Sequence, residues 1–240
     1  MIKELAESSG RAPDATAIAK AHAIYTPWML SFYDRLVHGF SNRFAWHCPT
    51  ERLLDLYRNN LASRHLGAGV GTGLFIDRAD PTPFESLVLL DINSHCLALS
   101  AGRLARYRPM LQEANLLAPL DLDLEPVDSI GLTYVLHCLP GRMAEKLTVI
   151  DHLRPFVRGD TVLFGATILG RGIEPNAAAS ALLALYNSKG VFNNRMDDLE
   201  ALEADLRQRF GKVEIERRGC VALFRAEALH GPGAVRNATP

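Results

Sequence analysis

A chain of 240 residues, nearly half of them hydrophobic, can bury one substantial core. Its 26 basic and 27 acidic side chains leave no excess of positive charge, so the electrostatic footprint of a nucleic-acid binder is missing. The N-terminus lacks the basic-then-apolar layout of a secretory leader, and no stretch approaches the ~18 consecutive apolar residues of a membrane span. Four scattered cysteines, Cys48, Cys96, Cys138 and Cys220, form no CxxC pair and suit a reducing compartment. These features predict a soluble, cytoplasmic protein.

Residues 1–15 are polar and read as frayed. From Thr16 to Leu61 the apolar spacing is helical, in several pieces. Pro27 suits the first turn of a helix carrying Trp28, Leu30, Phe32, Tyr33 and Leu36, and Pro49-Thr50 opens another with Leu53, Leu54, Leu56 and Tyr57. Seven of the eighteen aromatic residues fall between Tyr25 and Trp46.

The pattern then changes to alternating strand and helix. Ser63 to Leu66 can form a strand, and glycines occupy alternate positions 67, 69, 71 and 73 before Leu74-Phe75-Ile76-Asp77 begins a helix. A glycine-rich strand-to-helix turn admits positive φ and aims backbone N–H groups at a ligand. Ser86 to Leu90 is an apolar run ending in Asp91, and a helix spans about Ser94 to Tyr107. A short strand follows at Leu111 to Leu116. Ser129 to Leu136 reads as a buried strand, apolar on both faces. A helix covers Met143 to Val157, Gly159-Asp160 makes a turn, and a strand runs from Thr161 to Leu169. Helices at 176–187 and 197–209 precede two strands, Lys212 to Arg217 and Cys220 to Ala226, joined as a hairpin through Arg218-Gly219.

This alternation predicts a doubly wound, Rossmann-like, seven-stranded and mostly parallel α/β sheet with an antiparallel terminal hairpin. The expected organisation is a helical N-terminal cap over 1–60, a ligand-binding core over 61–228 and a disordered tail over 229–240. In such sheets ligands sit beyond the carboxyl ends of the strands. There the first strand delivers the glycine loop. The second delivers Asp91, placed to accept hydrogen bonds from ribose hydroxyls, with Ile92 beside it. The third delivers Ala114-Asn115-Leu116, suited to an adenine edge and face. The fourth delivers His137-Cys138-Leu139-Pro140-Gly141. Together they describe a site for an adenosine-type ligand. A dinucleotide fingerprint fits poorly, because Leu74 or Thr72 stands where its third glycine belongs, and the Tyr-x-x-x-Lys pair of short-chain reductases is absent.

Gly69-Val70-Gly71-Thr72-Gly73 resembles the G-x-G-T-G loop of class I S-adenosylmethionine (SAM)-dependent methyltransferases, and Asp91 resembles their acidic residue after the second strand. Four further segments, 44–50, 136–141, 165–170 and 186–192, resemble a small-molecule methyltransferase subfamily with members in natural-product pathways. The resemblance covers about residues 20–226. It implies SAM as cofactor, held by Gly67, Gly69, Gly71, Thr72, Gly73, Asp91, Ile92, Asn115, Leu116 and His137, with Tyr25 closing a lid over it.

The family usually opens the loop with a carboxylate, in the order D-x-G-x-G-x-G, and Gly67 stands in that place. That carboxylate commonly supports the loop and the methionine end of the cofactor. Gly67→Asp is expected to be tolerated. A second reading keeps the fold and the cofactor without methyl transfer, as a rearrangement catalyst or a non-catalytic partner.

His137 is the candidate general base, and Trp28, Tyr33 and Trp46 are candidates for the acceptor pocket. The neighbours His47 and Cys48 could pair as a nucleophile only by pointing together, which adjacent residues rarely do. No spacing of the eight histidines suggests a metal, and Asp121, Asp123 and Glu125 read as a solvated loop. The expected partner is a small molecule, with neither nucleic acid nor membrane, and the assembly a monomer or homodimer.

Overall fold

A computed structural model describes residues 41–79 and 83–230. Within them α1 (Thr50–Asn60) leads into β1 (Arg64–Ala68), the glycine loop and α2 (Leu74–Ala79). Then come β2 (Ser86–Asp91), α3 (Ser94–Arg103), β3 (Met110–Glu113), β4 (Val127–Thr133), and the short helices α4 (Met143–Lys146) and α5 (Thr148–Leu153). The remainder is β5 (Val157–Ile168), α6 (Ala177–Ser188), α7 (Leu199–Arg209), β6 (Phe210–Arg218) and β7 (Val221–Leu229).

The strands form one seven-stranded sheet in the order β3-β2-β1-β4-β5-β7-β6. Strands β1 to β5 are parallel, and β7 joins β5 and β6 antiparallel. The sheet is covered on both faces, so its central strands are apolar on both sides. On one face Leu66, Ile130 and Leu132 meet Met143, Leu147, Ile150, Leu202 and Leu206. On the other, Leu87, Leu89 and Phe164 meet Leu53, Leu54, Tyr57, Phe75, Ile76 and Leu97. Two neighbouring strands change direction of connection between β1 and β4, which opens the crevice where ligands bind in this architecture.

Several boundaries differ from expectation for local reasons. The helix expected over 94–107 ends at Arg103, and Ala105–Tyr107 tightens into a 3₁₀ turn. The single helix expected over 143–157 is α4, α5 and the 3₁₀ turn Arg154–Phe156, interrupted at Leu147 and Pro155. Gly159-Asp160 does not end a turn before the strand. β5 passes straight through it, and its pairing with β4 shifts register between Val127 and Ser129 to take up the slack. β4 stops at Thr133, because Tyr134 adopts φ 62°. β7 runs from Val221 to Leu229, beyond the strand end expected at Ala226. The frayed start expected over 1–15, the helix expected from Pro27 and the tail expected beyond residue 230 lie outside the described residues.

Candidate active site

The cavity at the carboxyl edge of the sheet is lined in strand order. Ala114, Asn115, Leu116 and Leu117 follow β3, Asp91, Ile92 and Asn93 end β2, Gly69 to Thr72 follow β1, and Thr133 to Val135 with Cys138 to Pro140 follow β4. Tyr57, Phe75 and Val191 close the β4 side.

The glycine loop is built by backbone constraints. Gly69, Gly71 and Gly73 have φ of 66°, 55° and 72°, a region that L side chains rarely occupy. A Cβ on Gly69 would also lie 2.3 Å from Val135 Cγ2, whereas one on Gly71 would meet nothing within 4 Å. Gly69 thus lets β1 and β4 approach, and Gly71 presents open backbone to the cavity. Asp91 fastens this loop to β2. Its carboxylate accepts the Gly71 N–H at 3.0 Å and the Asn93 N–H at 2.9 Å. Asn93 in turn caps α3 by accepting from His95 N–H at 2.9 Å.

Of the residues expected to hold a cofactor, Gly69, Gly71, Thr72, Asp91, Ile92, Asn115 and Leu116 line the cavity. Gly73 packs against Ser100 and Leu104 instead. Gly67 is not in the loop at all. It is buried inside β1, opposite Gly131 of β4, and a Cβ there would sit 3.3 Å from Ile76 Cδ1 and 3.5 Å from Val70 Cγ2. Methyl groups therefore already crowd the place from which a carboxylate would project.

His137 is a correction to the base expectation. It is 3% exposed and lies outside the cavity lining, in the 3₁₀ turn Leu136–Cys138. Its Nδ1 accepts the Ile168 N–H at 3.3 Å, and its ring meets Phe192 edge to face at 4.5 Å. Burial, reinforced by the charge of Lys146, lowers its pKa to about 3. Its Nδ1 contacts tie the turn after β4 to the end of β5.

Trp46 is likewise displaced from the acceptor role: it is 1% exposed, packs against Phe192 at 6.2 Å, and does not line the cavity. Tyr25, Trp28 and Tyr33 lie outside the described residues. His47 is exposed while Cys48 is fully buried, so the two do not form a pair. Burial pushes the Cys48 thiol up to about 12. Asp121, Asp123 and Glu125 are exposed.

Tyr57, Phe75, Thr133, Tyr134 and Val191 were missed. Tyr57 and Phe75 stack at 5.4 Å beside the loop. Burial raises the Tyr57 hydroxyl to about 12, with the Thr133 hydroxyl beside it pulling the other way. The wall carrying Val191 is pinned from below. Lys146 Nζ donates to the Asn193 carbonyl at 2.9 Å and pairs with Asp197 at 2.6 Å, both side chains fully buried. Asn193 N–H donates to the His137 carbonyl at 2.8 Å, and Asn193 Nδ2 to that of Cys138 at 3.1 Å.

Fold and cavity define a Rossmann-like ligand site at the carboxyl edge of the sheet, and comparison with known proteins narrows it. No protein-family model matches the chain. It is 36% identical over 210 residues to a demethylluteothin O-methyltransferase of Streptomyces thioluteus, spanning 87% of this chain and 91% of that protein. A physcion biosynthesis cluster O-methyltransferase of Aspergillus chevalieri is 33% identical over 216 residues, 89% of this chain and 97% of the relative. Among solved structures, the N-methyltransferase NodS of Bradyrhizobium japonicum WM9 with S-adenosyl-L-homocysteine (SAH) aligns at a TM-score of 0.57 and 16% identity. That alignment covers 89% of this chain and 96% of NodS, and shows the shared fold.

The chain belongs to the SAM-dependent small-molecule methyltransferases. It is an enzyme, and SAM is its cofactor. The residues present fit that cofactor: open backbone at Gly71, the Asp91 carboxylate at the end of β2, and Asn115 beside the apolar Leu116 after β3. Among the described residues, no helix is long and apolar enough to cross a membrane.

Proposed function

We propose that the enzyme methylates an acidic hydroxyl, a phenol or an enol, on a small natural-product acceptor. One observation carries the reading. Among the described residues that line the β4 end of the cavity, none is a competent general base: the Tyr57 hydroxyl and the Cys138 thiol are both pushed up to about 12 by burial, and His137 is not among them. An acceptor that ionises unaided needs only to be positioned against the electrophile and shielded from water, and orientation alone supplies a large part of such a rate. Bound SAM supplies an electrophilic methyl group on a sulfonium. The chain's own residues do the rest. Asp91 and the glycine loop hold the ribose and the backbone-facing side of the cofactor, the slot at Asn115 and Leu116 takes the adenine, and Tyr57, Phe75, Tyr134 and Val191 form the dry wall. The relatives named as O-methyltransferases support oxygen as the receiving atom.

The test is the pH dependence of kcat/KM for a set of phenols and enols of graded acidity. The reading predicts that each profile breaks at the acceptor's own pKa. A break that stays at one pH for every acceptor would assign the proton to the enzyme and refute it. The balanced charge supports a small-molecule partner without nucleic acid, and four free cysteines support a cytoplasmic setting. Work as a monomer or homodimer, under a cap formed by residues 1–60, belongs to the same reading.

A further inference from the structure

Tyr134 follows β4 in the left-handed region, with φ 62°, where a bulky side chain is strained unless its surroundings impose the conformation. They do so here from three sides. Its N–H donates to the Ala166 carbonyl at 2.7 Å, and its hydroxyl donates to Asn42 Oδ1 at 2.9 Å. Its ring meets Phe75 edge to face at 6.2 Å and His137 at 5.5 Å. Asn42 is itself fully buried and donates to Thr50 Oγ1 at 3.2 Å. With the hydroxyl engaged by Asn42, what half-buried Tyr134 gives to the cavity is ring carbon.

The charges around it run the same way. Asp91 is the only acidic or basic side chain among the described lining residues. It lies at the end of β2, across β1 from Tyr134, with its oxygens accepting from Gly71 and Asn93. An adenine at the β3 end and a ribose at the β2 end would direct the sulfonium of the cofactor toward β1 and β4, where Tyr57, Phe75 and Tyr134 are among the lining residues. A desolvated cation that finds no carboxylate is attracted by aromatic rings.

We infer that Tyr134, held in its strained conformation by the bond from its N–H to Ala166 and by ring packing as well as by Asn42, recognises the sulfonium charge, with Phe75 and Tyr57 completing the aromatic wall. The site then discriminates the cationic donor from its neutral product SAH. This rests on the assignment of SAM as cofactor, which wild-type binding of SAH checks by itself.

The experiment is isothermal titration of SAM and SAH into wild type, Tyr134→Phe and Tyr134→Leu. Tyr134→Leu is expected to weaken SAM by about 3- to 30-fold and to leave SAH within twofold. Tyr134→Phe, which keeps the ring and loses the bond to Asn42, keeps the wild-type ratio of the two affinities. A series of mono-, di- and trifluorinated phenylalanines at position 134 fills the same space while draining the ring's negative face, and so reads the charge even where the leucine variant fails to fold. SAM affinity falls with each fluorine and SAH affinity stays flat. Equal changes for both ligands across the fluorinated series, or none, would overturn the inference.

Discussion

Gly67 is where this chain departs from its family, and the structure turns the departure into a two-variant experiment. Gly67 lies in β1 at ordinary negative φ, so the backbone accepts a side chain. Gly67→Ala adds a methyl 3.3 Å from Ile76 Cδ1, the far end of a flexible side chain that can give a few tenths of an ångström. Against that, losing a strand glycine stabilises by about 0.5–1 kcal/mol, so alanine should be neutral or slightly better than wild type. Gly67→Asp projects from the same point but carries a carboxyl group into a position lined by Ile76 and Val70 methyls. A buried polar group without a partner costs about 1–3 kcal/mol. At ~2–4 °C per kcal/mol for a chain of this size, the aspartate should melt about 2–12 °C below the alanine. This reverses the expectation that the carboxylate would be tolerated. Differential scanning calorimetry of both variants, with and without SAM, reads it. An aspartate that melts with or above the alanine would show that the carboxylate finds a partner, and the crowding argument would be refuted.

Other outcomes follow from single features of the structure. Asp91→Ala should weaken SAM by about ten- to hundredfold, as charge-assisted hydrogen bonds are lost. It should also lower the melting temperature, because the Gly71 and Asn93 N–H groups lose their acceptor; unchanged titration and melting would contradict both roles. Lys146→Met leaves the Asp197 carboxylate buried alone and should cost about 3–5 kcal/mol, most of it recovered in Lys146→Met with Asp197→Leu, as urea unfolding of the three proteins will show. His65 and His137 are both buried, with pKa lowered to about 3 chiefly by burial. A histidine lowered in the folded state leaves stability untouched above its unfolded pKa of ~6.5. Below that pH the unfolded chain takes up protons that the native chain refuses, and stability falls until the native pKa is reached. Two such residues predict a loss of about 3 kcal/mol between pH 6.5 and 5. His65→Phe should halve the slope of a pH series of urea unfolding curves, and an unchanged slope would remove His65 from the account.

The parts legible in the sequence were those the backbone alone decides. Glycines at 69, 71 and 73 announced a loop because their φ values admit little else, and Asp91 was visible as the polar end of an apolar run that had to be a strand. The order of strand ends then placed Asn115 and Leu116 correctly along the cavity. What remained hidden was the direction of side chains set by tertiary contacts. Tyr57 shares its helical spacing with the core residues Leu53 and Leu54, and only the packing shows it reaching the cavity. His137 sits at the right strand end but turns inward onto Ile168 and Phe192. Tyr134 was read as strand interior, since no local signal marks an aromatic residue for left-handed backbone. The mis-set boundary at Gly159-Asp160 has the same origin, because a register shift in β4–β5 pairing overrides turn-forming residues.

The most direct test of the account is the fate of the cofactor. Purified enzyme is incubated with SAM and a phenolic or enolic acceptor, and SAH and product are counted together by mass spectrometry. The account predicts one SAH for each O-methylated acceptor, with the methyl mass absent when SAM is omitted. Acceptor converted without an added methyl group, while SAM is recovered intact, would contradict methyl transfer and favour the reading in which the same fold binds SAM without consuming it.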